Sequence, residues 1–239
     1  MRSISDRLVP PINRTLSDVI VRDLRKRIIL GNLRPGERLT EVRLAAEYGV
    51  SRGTVREVFR RLEAESLIEK TSHRRSRVSR LEPSDAYEIC ILHALLEEHC
   101  VRHTKLPLEG DAQAELKRVI DEMAELRLPD EVDRFIDLDQ AFHLTLVNAS
   151  GQRRVVQVWK GLRSLLGVLV ALSLQYLEGF DARRIASRHR TILEAVRQTE
   201  TDIAAEAVSS HYRILADQIM MIVSAKQETS GAFEGQTRD

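Results

Sequence analysis

The stretch that decides the fold is RPGERLTEVRLAAEYGVSRGTVREVFRRLEAESLIEK, residues 34–70. It contains two short amphipathic segments separated by a turn at 48–50. Thr40 and Ser51 stand where helix N-caps are expected, because their hydroxyls can accept from free backbone N–H groups of a first turn. Gly49 suits the left-handed residue that ends a helix. The spacing therefore predicts a helix-turn-helix, with one helix after Thr40 and a second after Ser51.

The polar edge of the second predicted helix carries side chains of the types that contact DNA. Arg52 and Arg56 are candidates for contacts with base edges, because an Arg can donate two hydrogen bonds to guanine O6 and N7. The other candidates for phosphate or groove contacts are Arg43, Ser51, Gly53, Thr54 and Arg60. A recognition helix presents its N-terminal turn to the major groove in this way. The sequence therefore predicts double-stranded DNA as a partner.

Charge is distributed unevenly along the chain. Residues 1–80 hold 19 Lys and Arg against 10 Asp and Glu, a balance of +9, whereas residues 81–239 hold 18 against 26, a balance of −8. Only the front part suits a polyanion, because Lys and Arg that neutralise phosphates supply much of the affinity for DNA. A solvated basic surface is the alternative, and the adjoining turn motif argues against it.

The residues after the second helix predict a wing. Short strands are expected at 66–69 and 77–81. The basic segment between them, with His73, Arg74 and Arg75, would form the tip of a hairpin close to phosphates or the minor groove. A basic linker is the alternative interpretation of this segment.

The remaining pattern is helical throughout. A DNA-binding domain is predicted over 14–81, with a first helix at 14–30, after a flexible tail at 1–13. Further helices are expected near 84–104, 108–127, 130–149, 152–178, 181–198 and 200–226. Six helices of this length make an all-α domain over 82–226, followed by a flexible tail at 227–239. The predicted class is mainly α: a winged helix-turn-helix domain and an all-α six-helix bundle.

Cysteine usage and hydropathy predict a cytoplasmic protein. Cys90 and Cys100 fall in one predicted helix, about 15 Å apart along its axis, which is too far for a disulfide. We expect no signal peptide, because residues 1–14 have no apolar core. The apolar run at 165–174 is too short to span a bilayer and is interpreted as a core helix.

Four titratable residues fall on the apolar faces of three predicted helices. Asp139 and His143 project from one face, four residues apart, and His189 and His211 lie in line with apolar residues of later helices. Burying such groups without compensation is costly. A shared divalent metal would compensate all four, and this donor set suits Zn²⁺ and also Ni²⁺, Mn²⁺, Fe²⁺ or Co²⁺. An internal Asp–His hydrogen bond, with the other histidines satisfied separately, explains the pattern equally well.

A second histidine group lies in the first helix of the bundle. His93, His99 and His103 all belong to it, and His99 and His103 are four residues apart. Both lie near the predicted helix end beside Arg102, so a solvated face is favoured there over a metal site.

Taken together, these features resemble the GntR family of bacterial transcription regulators, in particular members with an all-helical FCD effector domain. The motifs that carry the resemblance are PGERL, LA, GVSRGTVRE and RLEAESLI in the front part and DQAFH, HRTILEAV and SSHYRIL in the back. The resemblance covers residues 14–225. It implies that Asp139, His143, His189 and His211 bind a divalent metal at the base of an effector cavity. Six bundle helices, rather than seven, are similar to the vanillate-regulator branch.

The chain departs from the family pattern at four positions. Gly53 stands where Thr, Pro or Ala is frequent near the bases, which leaves less side-chain contact there. Ser66 and Ser76 stand where glycines are common. His93 replaces a frequent Arg near the effector, so an imidazole is expected in the effector pocket in place of a carboxylate-binding guanidinium.

The predicted function is a ligand-responsive transcription regulator of the repressor type. A homodimer would read an inverted-repeat operator, while the bundle would bind a divalent metal and a small organic acid. Two other classes remain as alternatives. A metal-dependent enzyme built on the bundle would leave the front domain unexplained, and no general base stands beside the candidate ligands. An effector-independent architectural DNA-binding protein would leave the inward histidines unexplained.

Overall fold

The computed structural model describes residues 15–70, 76–176 and 181–234. Within these ranges the chain forms nine helices and one three-stranded sheet, which confirms the predicted class. In chain order the elements are α1 (Leu16–Ile29), β1 (Arg38–Leu39), α2 (Glu41–Tyr48), α3 (Arg52–Ala64), β2 (Ile68–Lys70), β3 (Ser76–Val78), α4 (Pro83–Arg102), α5 (Gly110–Ala124), α6 (Val132–Ala149), α7 (Arg153–Tyr176), α8 (Ala182–Val196) and α9 (Thr201–Glu234).

Contacts divide the chain into two compact units. The first comprises Met1–Leu81 with Gly161–Val168, and the second comprises Glu82–Lys160 with Leu169–Asp239. The helix-turn-helix lies in the first unit. Helices α4, α5, α6, α8 and α9 lie in the second, and α7 contributes to both.

The helix-turn-helix forms where the caps predict it. The Thr40 hydroxyl accepts from the backbone N–H of Arg43 at 3.3 Å, and the Ser51 hydroxyl accepts from that of Thr54 at 3.1 Å. Gly49 has φ 66°, the left-handed conformation that ends α2 without a Cβ clash. These local hydrogen bonds set the start of α2 and α3 and the end of α2, and with them the direction in which α3 leaves the turn.

Apolar packing holds α3 by one face only. Leu44, Val55, Val58 and Leu62 are all 0% exposed, and α1 adds its own buried stripe against α3. Polar contacts reinforce this face, since Arg25 of α1 donates to Glu65 at the end of α3 at 2.7 and 2.5 Å. The opposite face of α3 is left at the surface.

The small sheet differs in detail from the prediction. Its order is β1-β3-β2 and both pairings are antiparallel. Strand β2 begins at Ile68 rather than at 66, because Ser66 adopts φ 56°, a left-handed turn conformation that a strand cannot contain. Strand β1 was not predicted, since two residues are too few to show an alternating pattern.

The second unit is built from packed helices. Helix α4 packs most extensively against α9, α5 packs against α6 and α8, and α8 packs against α9. Large aromatic side chains fill its interior, and each is at most 1% exposed: Phe135, Phe142, Trp159 and Tyr212. The six predicted helices are present within a few residues at most ends. Helix α9 runs on to Glu234, so part of the segment expected as a tail is helical.

Helix α7 is long and apolar enough to cross a membrane by length and composition alone. Half of its most apolar 18-residue window is buried against protein, as in a core helix. Leu166, Leu169 and Ala171 are each at most 2% exposed, in agreement with the interpretation of this run as core. Cys90 and Cys100 are both free and buried in α4.

Candidate nucleic-acid interface and metal centre

The exposed edge of α3 is the edge that carries the arginines. The side chains of Arg52 and Arg56 are 61% and 59% exposed, whereas Val55, Val58 and Phe59 on the opposite face are buried. The hydrophobic face of α3 therefore orients the arginine edge outward. This is the geometry that a helix needs to place side chains in the major groove.

A carboxylate that sequence reasoning missed holds these two arginines. Glu41, at the start of α2, accepts from Arg56 Nε at 2.9 Å on both of its oxygens, and its Oε2 lies 3.6 Å from Arg52 Nε. The hydrogen bond from Arg56 holds the pKa of Glu41 below its usual value. No periodicity connects Glu41 with residues on α3, so only the packing of α2 against α3 reveals the contact.

Three other predicted contact residues take part in the N-terminal caps of α2 and α3. Arg43 is exposed and pairs with Glu37 at 3.2 Å. Ser51 and Thr54 are engaged in the cap, with their hydroxyls 3.0 Å apart. A Cβ at Gly53 would meet the Ser51 hydroxyl at 3.5 Å, an ordinary van der Waals contact, so this position has room for a larger side chain.

An open groove of about 840 Å³ adjoins this arginine edge. Its basic lining residues are Arg38, Arg52, Arg56, Arg60 and Lys70. Arg38 and Lys70 come from strands β1 and β2 and were not among the predicted contacts. The predicted wing residues His73, Arg74 and Arg75 lie outside the described residues.

Four side chains on three helices of the second unit meet in its interior. Asp139 and His143 of α6, His189 of α8 and His211 of α9 each offer one ligand atom, and these atoms all lie within 4.8 Å of one another. Asp139, His143 and His189 are at most 5% exposed. The structure therefore brings together the residues that the apolar stripes singled out, across 72 positions of sequence that contain three interhelical connections.

Hydrogen bonds orient two of the rings toward the centre of this cluster. His189 Nδ1 lies 3.0 Å from the carbonyl oxygen of Ile185, so Nδ1 carries the proton and Nε2 is left facing Asp139 Oδ1 at 3.1 Å. His143 Nε2 lies 3.9 Å from the same oxygen. With its proton on Nδ1, His189 has an acceptor at Nε2, and Asp139 Oδ1 is an acceptor as well. These two atoms repel at 3.1 Å unless a cation or a proton lies between them.

Burial and charge act on the ionisation of the cluster. Burial alone would raise the pKa of Asp139, but the neighbouring imidazoles of His189 and His143 hold it below its usual value. Burial lowers the pKa of His211 well below its usual value, which favours the neutral imidazole. His211 Nδ1 is buried and has no hydrogen-bond partner. A carboxylate and neutral imidazoles are the forms in which these residues bind metal ions.

A second layer of polar side chains surrounds this cluster. Glu97 is buried against His143, Trp159 and Tyr212. His93 is also fully buried, with its ring stacked on Tyr212 at 5.8 Å between centroids and edge-on to Trp159 at 5.6 Å. Sequence reasoning selected His93 but missed Glu97, which stands next to Glu98 in a run without any distinguishing pattern.

His99 of α4 and His103, the residue that caps its C-terminal end, face outward. The Nε2 atom of His99 is 2.8 Å from Gln152 Oε1, and His103 Nδ1 donates to the His99 carbonyl at 2.7 Å. Both side chains are exposed. Their placement agrees with the solvated face that the sequence favours.

An outward arginine helix in a winged helix-turn-helix, together with a helical unit, defines a DNA-binding transcription regulator. Residues 16–78 match the model of the bacterial regulatory proteins of the gntR family, and residues 88–213 match that of the FCD domain. The chain therefore belongs to the GntR family of regulators, in the group that carries an FCD domain. The matched family and the relatives of this chain are DNA-binding transcription regulators and not enzymes, so the enzyme alternative is wrong.

Individual relatives agree with this assignment. An HTH-type transcriptional regulator in an unstable DNA locus of Streptomyces ambofaciens is 30% identical over 87% of this chain and 87% of its own length. The gluconate operon transcriptional repressor of Bacillus licheniformis is 24% identical over 80% and 79%. A crystal structure of a transcriptional regulator GntR from Rhodococcus sp. RHA1 shares the fold, with a TM-score of 0.70, 23% identity, and coverage of 85% and 97%.

Proposed function

We propose that this regulator is a cytoplasmic, homodimeric repressor that binds an inverted-repeat operator and responds to a small organic acid bound beside a divalent metal. The single observation that carries the sensing part is the convergence of four ligand atoms within 4.8 Å in the interior of the second unit. The described residues after 82 form six helices, which is consistent with the vanillate-regulator-like branch. Relatives named as repressors support repression as the sign of regulation.

The four converging residues fit a divalent metal by their chemistry. Three imidazoles and one carboxylate are a donor set suited to Zn²⁺, and Ni²⁺, Mn²⁺, Fe²⁺ or Co²⁺ accept it as well. The bare Nδ1 of His211 and the facing acceptors His189 Nε2 and Asp139 Oδ1 both call for a cation. When bound, the ion would supply a Lewis-acidic position for a carboxylate of the effector. His93, buried beside Tyr212, is the side chain we assign to the effector pocket.

The contacts with DNA would be divided between base edges and phosphates. Arg52 and Arg56 would reach guanines, since both project from the first two turns of α3. The phosphate contacts would come from Arg43, Ser51, Thr54 and Arg60, from Arg38 and Lys70 of the groove, and from the wing residues His73, Arg74 and Arg75. Gly53 would let the backbone of α3 approach the bases closely.

The negative charge of Glu41 lowers the affinity of this surface for DNA of any sequence, and Glu41→Gln tests this effect. In Glu41→Gln, Arg52 and Arg56 lose the carboxylate that neutralises them. We expect about threefold to tenfold tighter binding to a duplex of arbitrary sequence at low salt, because like charge near the phosphates is removed. Fluorescence anisotropy with a labelled duplex measures this change. Glu57→Gln is the control, since it changes the net charge equally, and Glu57 bonds to Ser17 instead.

Equal gains in Glu41→Gln and Glu57→Gln would show that only net charge matters. An unchanged or lower affinity in Glu41→Gln would show that Glu41 orders the arginines without competing with DNA.

One face of α4 supports the proposed dimer. Tyr87, Leu92 and Leu95 lie along one side of this helix and are 52%, 44% and 58% exposed. Contiguous exposed apolar residues mark interaction surfaces, and a two-fold axis would let this face pack against its own copy.

Light scattering is expected to give twice the chain mass of 27.3 kDa for the wild-type protein. The Leu95→Glu change is expected to shift the protein to monomer at micromolar concentration, because a charge would be buried in each half of the interface. Asp111→Lys, on the surface of α5, provides a control for a general effect of surface charge. A monomeric wild type, or a dimeric Leu95→Glu, would contradict this assignment.

A further inference from the structure

Glu97 of α4 is a carboxylate buried completely within the second unit. Its side chain is 0% exposed. Oε1 accepts from Trp159 Nε1 at 2.7 Å and from the Tyr212 hydroxyl at 2.5 Å, and Oε2 lies 2.8 Å from His143 Nδ1. Three donors from three other helices thus converge on one carboxylate.

Such a burial calls for an explanation, because an ionised carboxylate is strongly stabilised by water. The three hydrogen bonds compensate the loss of hydration in part. Glu98, the next residue, shows the ordinary alternative: it pairs with Arg102 at 3.0 Å and accepts from Ser209 at 3.1 Å nearer the surface. The inward position of Glu97 is therefore a feature of this site and not of the helix as a whole.

We infer that Glu97 is a positioning residue of the metal centre, which holds the proton of His143 on Nδ1 and so leaves the lone pair of Nε2 directed at the other three ligands. This inference rests on the metal binding proposed above. An ionised carboxylate can only accept a hydrogen bond, so the imidazole nitrogen that faces it must be the donor. The other ring nitrogen, His143 Nε2, lies on the side of Asp139 Oδ1 at 3.9 Å. Carboxylates that accept from the second nitrogen of a ligand histidine fix its tautomer and its orientation.

The other two donors make Glu97→Gln a directed test of this role. The indole N–H of Trp159 can only donate, so the amide oxygen of a glutamine must face Trp159. Its NH₂ group then faces His143 Nδ1, which must become an acceptor. The proton moves to Nε2 and occupies the lone pair that a metal ion needs. Glu97→Gln therefore keeps the shape of the side chain at position 97 and changes the tautomer of His143.

The first measurement uses the full-length, metal-free protein labelled with ¹⁵N-histidine. Long-range ¹H–¹⁵N spectra at alkaline pH report which ring nitrogen carries the proton, and the spectrum of His143→Gln assigns the signal among the 7 histidines. We expect His143 to be protonated on Nδ1 in the wild type and on Nε2 in Glu97→Gln. Glu98→Gln is the matched control and should leave the wild-type pattern unchanged.

The second measurement is the affinity for Zn²⁺ in competition with a chromophoric chelator. Loss of a carboxylate behind a ligand histidine lowers metal affinity by about 10- to 100-fold, and we expect a decrease in this range for Glu97→Gln. Tyr212→Phe removes one donor to Glu97, together with a hydroxyl that lies 3.3 Å from His143 Nδ1, but it keeps the 2.8 Å contact between Glu97 and His143. Its affinity should therefore stay within about threefold of wild type. Thermal unfolding checks that each variant is folded.

The outcomes separate this inference from the proposal on which it rests. Wild-type His143 protonated on Nε2, or a wild-type tautomer in folded Glu97→Gln, overturns the positioning role whether or not metal binds. If Glu97→Gln does not fold, two other measurements decide. Protonation of wild-type His143 on Nε2 overturns the positioning role of Glu97, and so does a loss of Zn²⁺ affinity as large as 10-fold in Tyr212→Phe. Protonation on Nδ1 without binding of Zn²⁺ by the wild type overturns the metal centre alone.

Discussion

Arg52→Ala is expected to weaken binding to the operator at least about 30-fold. A bidentate Arg–guanine contact contributes about 1–3 kcal/mol of discrimination, and a dimer would lose two of them. The fold should be unaffected, because the Arg52 side chain is 61% exposed and its ion pair with Glu41 is a surface contact at 3.6 Å. The operator duplex can be selected by the protein itself from a random-sequence library, and gel-shift titration then measures the loss.

The control for Arg52→Ala is Arg22→Ala, which removes an equal charge from an exposed position on α1. Its expected loss is small, and it reflects only the general attraction to phosphates. Repeating the wild-type titration at increasing salt separates the two contributions, because phosphate contacts depend on salt far more steeply than contacts with base edges. Undiminished binding by Arg52→Ala would remove α3 as the helix that reads the operator.

His189→Ala is expected to lower the metal content from about one divalent ion per chain to nearly none. The change deletes a buried imidazole that faces Asp139 at 3.1 Å, so the remaining three residues form an incomplete site. Elemental analysis of protein purified without chelators measures this loss. Asp139→Asn tests the same site with a smaller change of volume, and His99→Ala, at an exposed histidine, is the control that should retain the ion.

The same variants test whether the metal and the effector share a site. A panel of small organic acids should include compounds that raise the unfolding temperature of the wild type, because a ligand that binds only the native state stabilises it. We expect the same compounds to have no effect on His189→Ala. A wild type that contains no metal after growth in supplemented medium would leave the four residues as a hydrogen-bonded polar core. Equal stabilisation of both proteins would place the effector away from the metal.

The sequence alone predicted the contacts between residues that are close together in the chain. The turn is indicated by Thr40, Gly49 and Ser51, because a helix cap involves residues only three or four positions apart. Asp139 and His143 share a face because 3.6 residues make one helical turn. The strand prediction was wrong at Ser66, because this residue adopts a left-handed φ of 56°, a conformation that is uncommon for residues other than glycine and that its sequence neighbours did not indicate.

The sequence by itself determined the helices, their caps and the face of each helix that is buried, because these depend on hydrogen bonds and periodicity within short segments. Only the tertiary structure decided which faces meet. It places His189 and His211 beside Asp139, pairs Glu41 with Arg52 and Arg56, and turns Glu97 inward while Glu98 stays nearer the surface. Those outcomes depend on how whole helices pack, and no local pattern encodes the angle and register at which two distant segments cross.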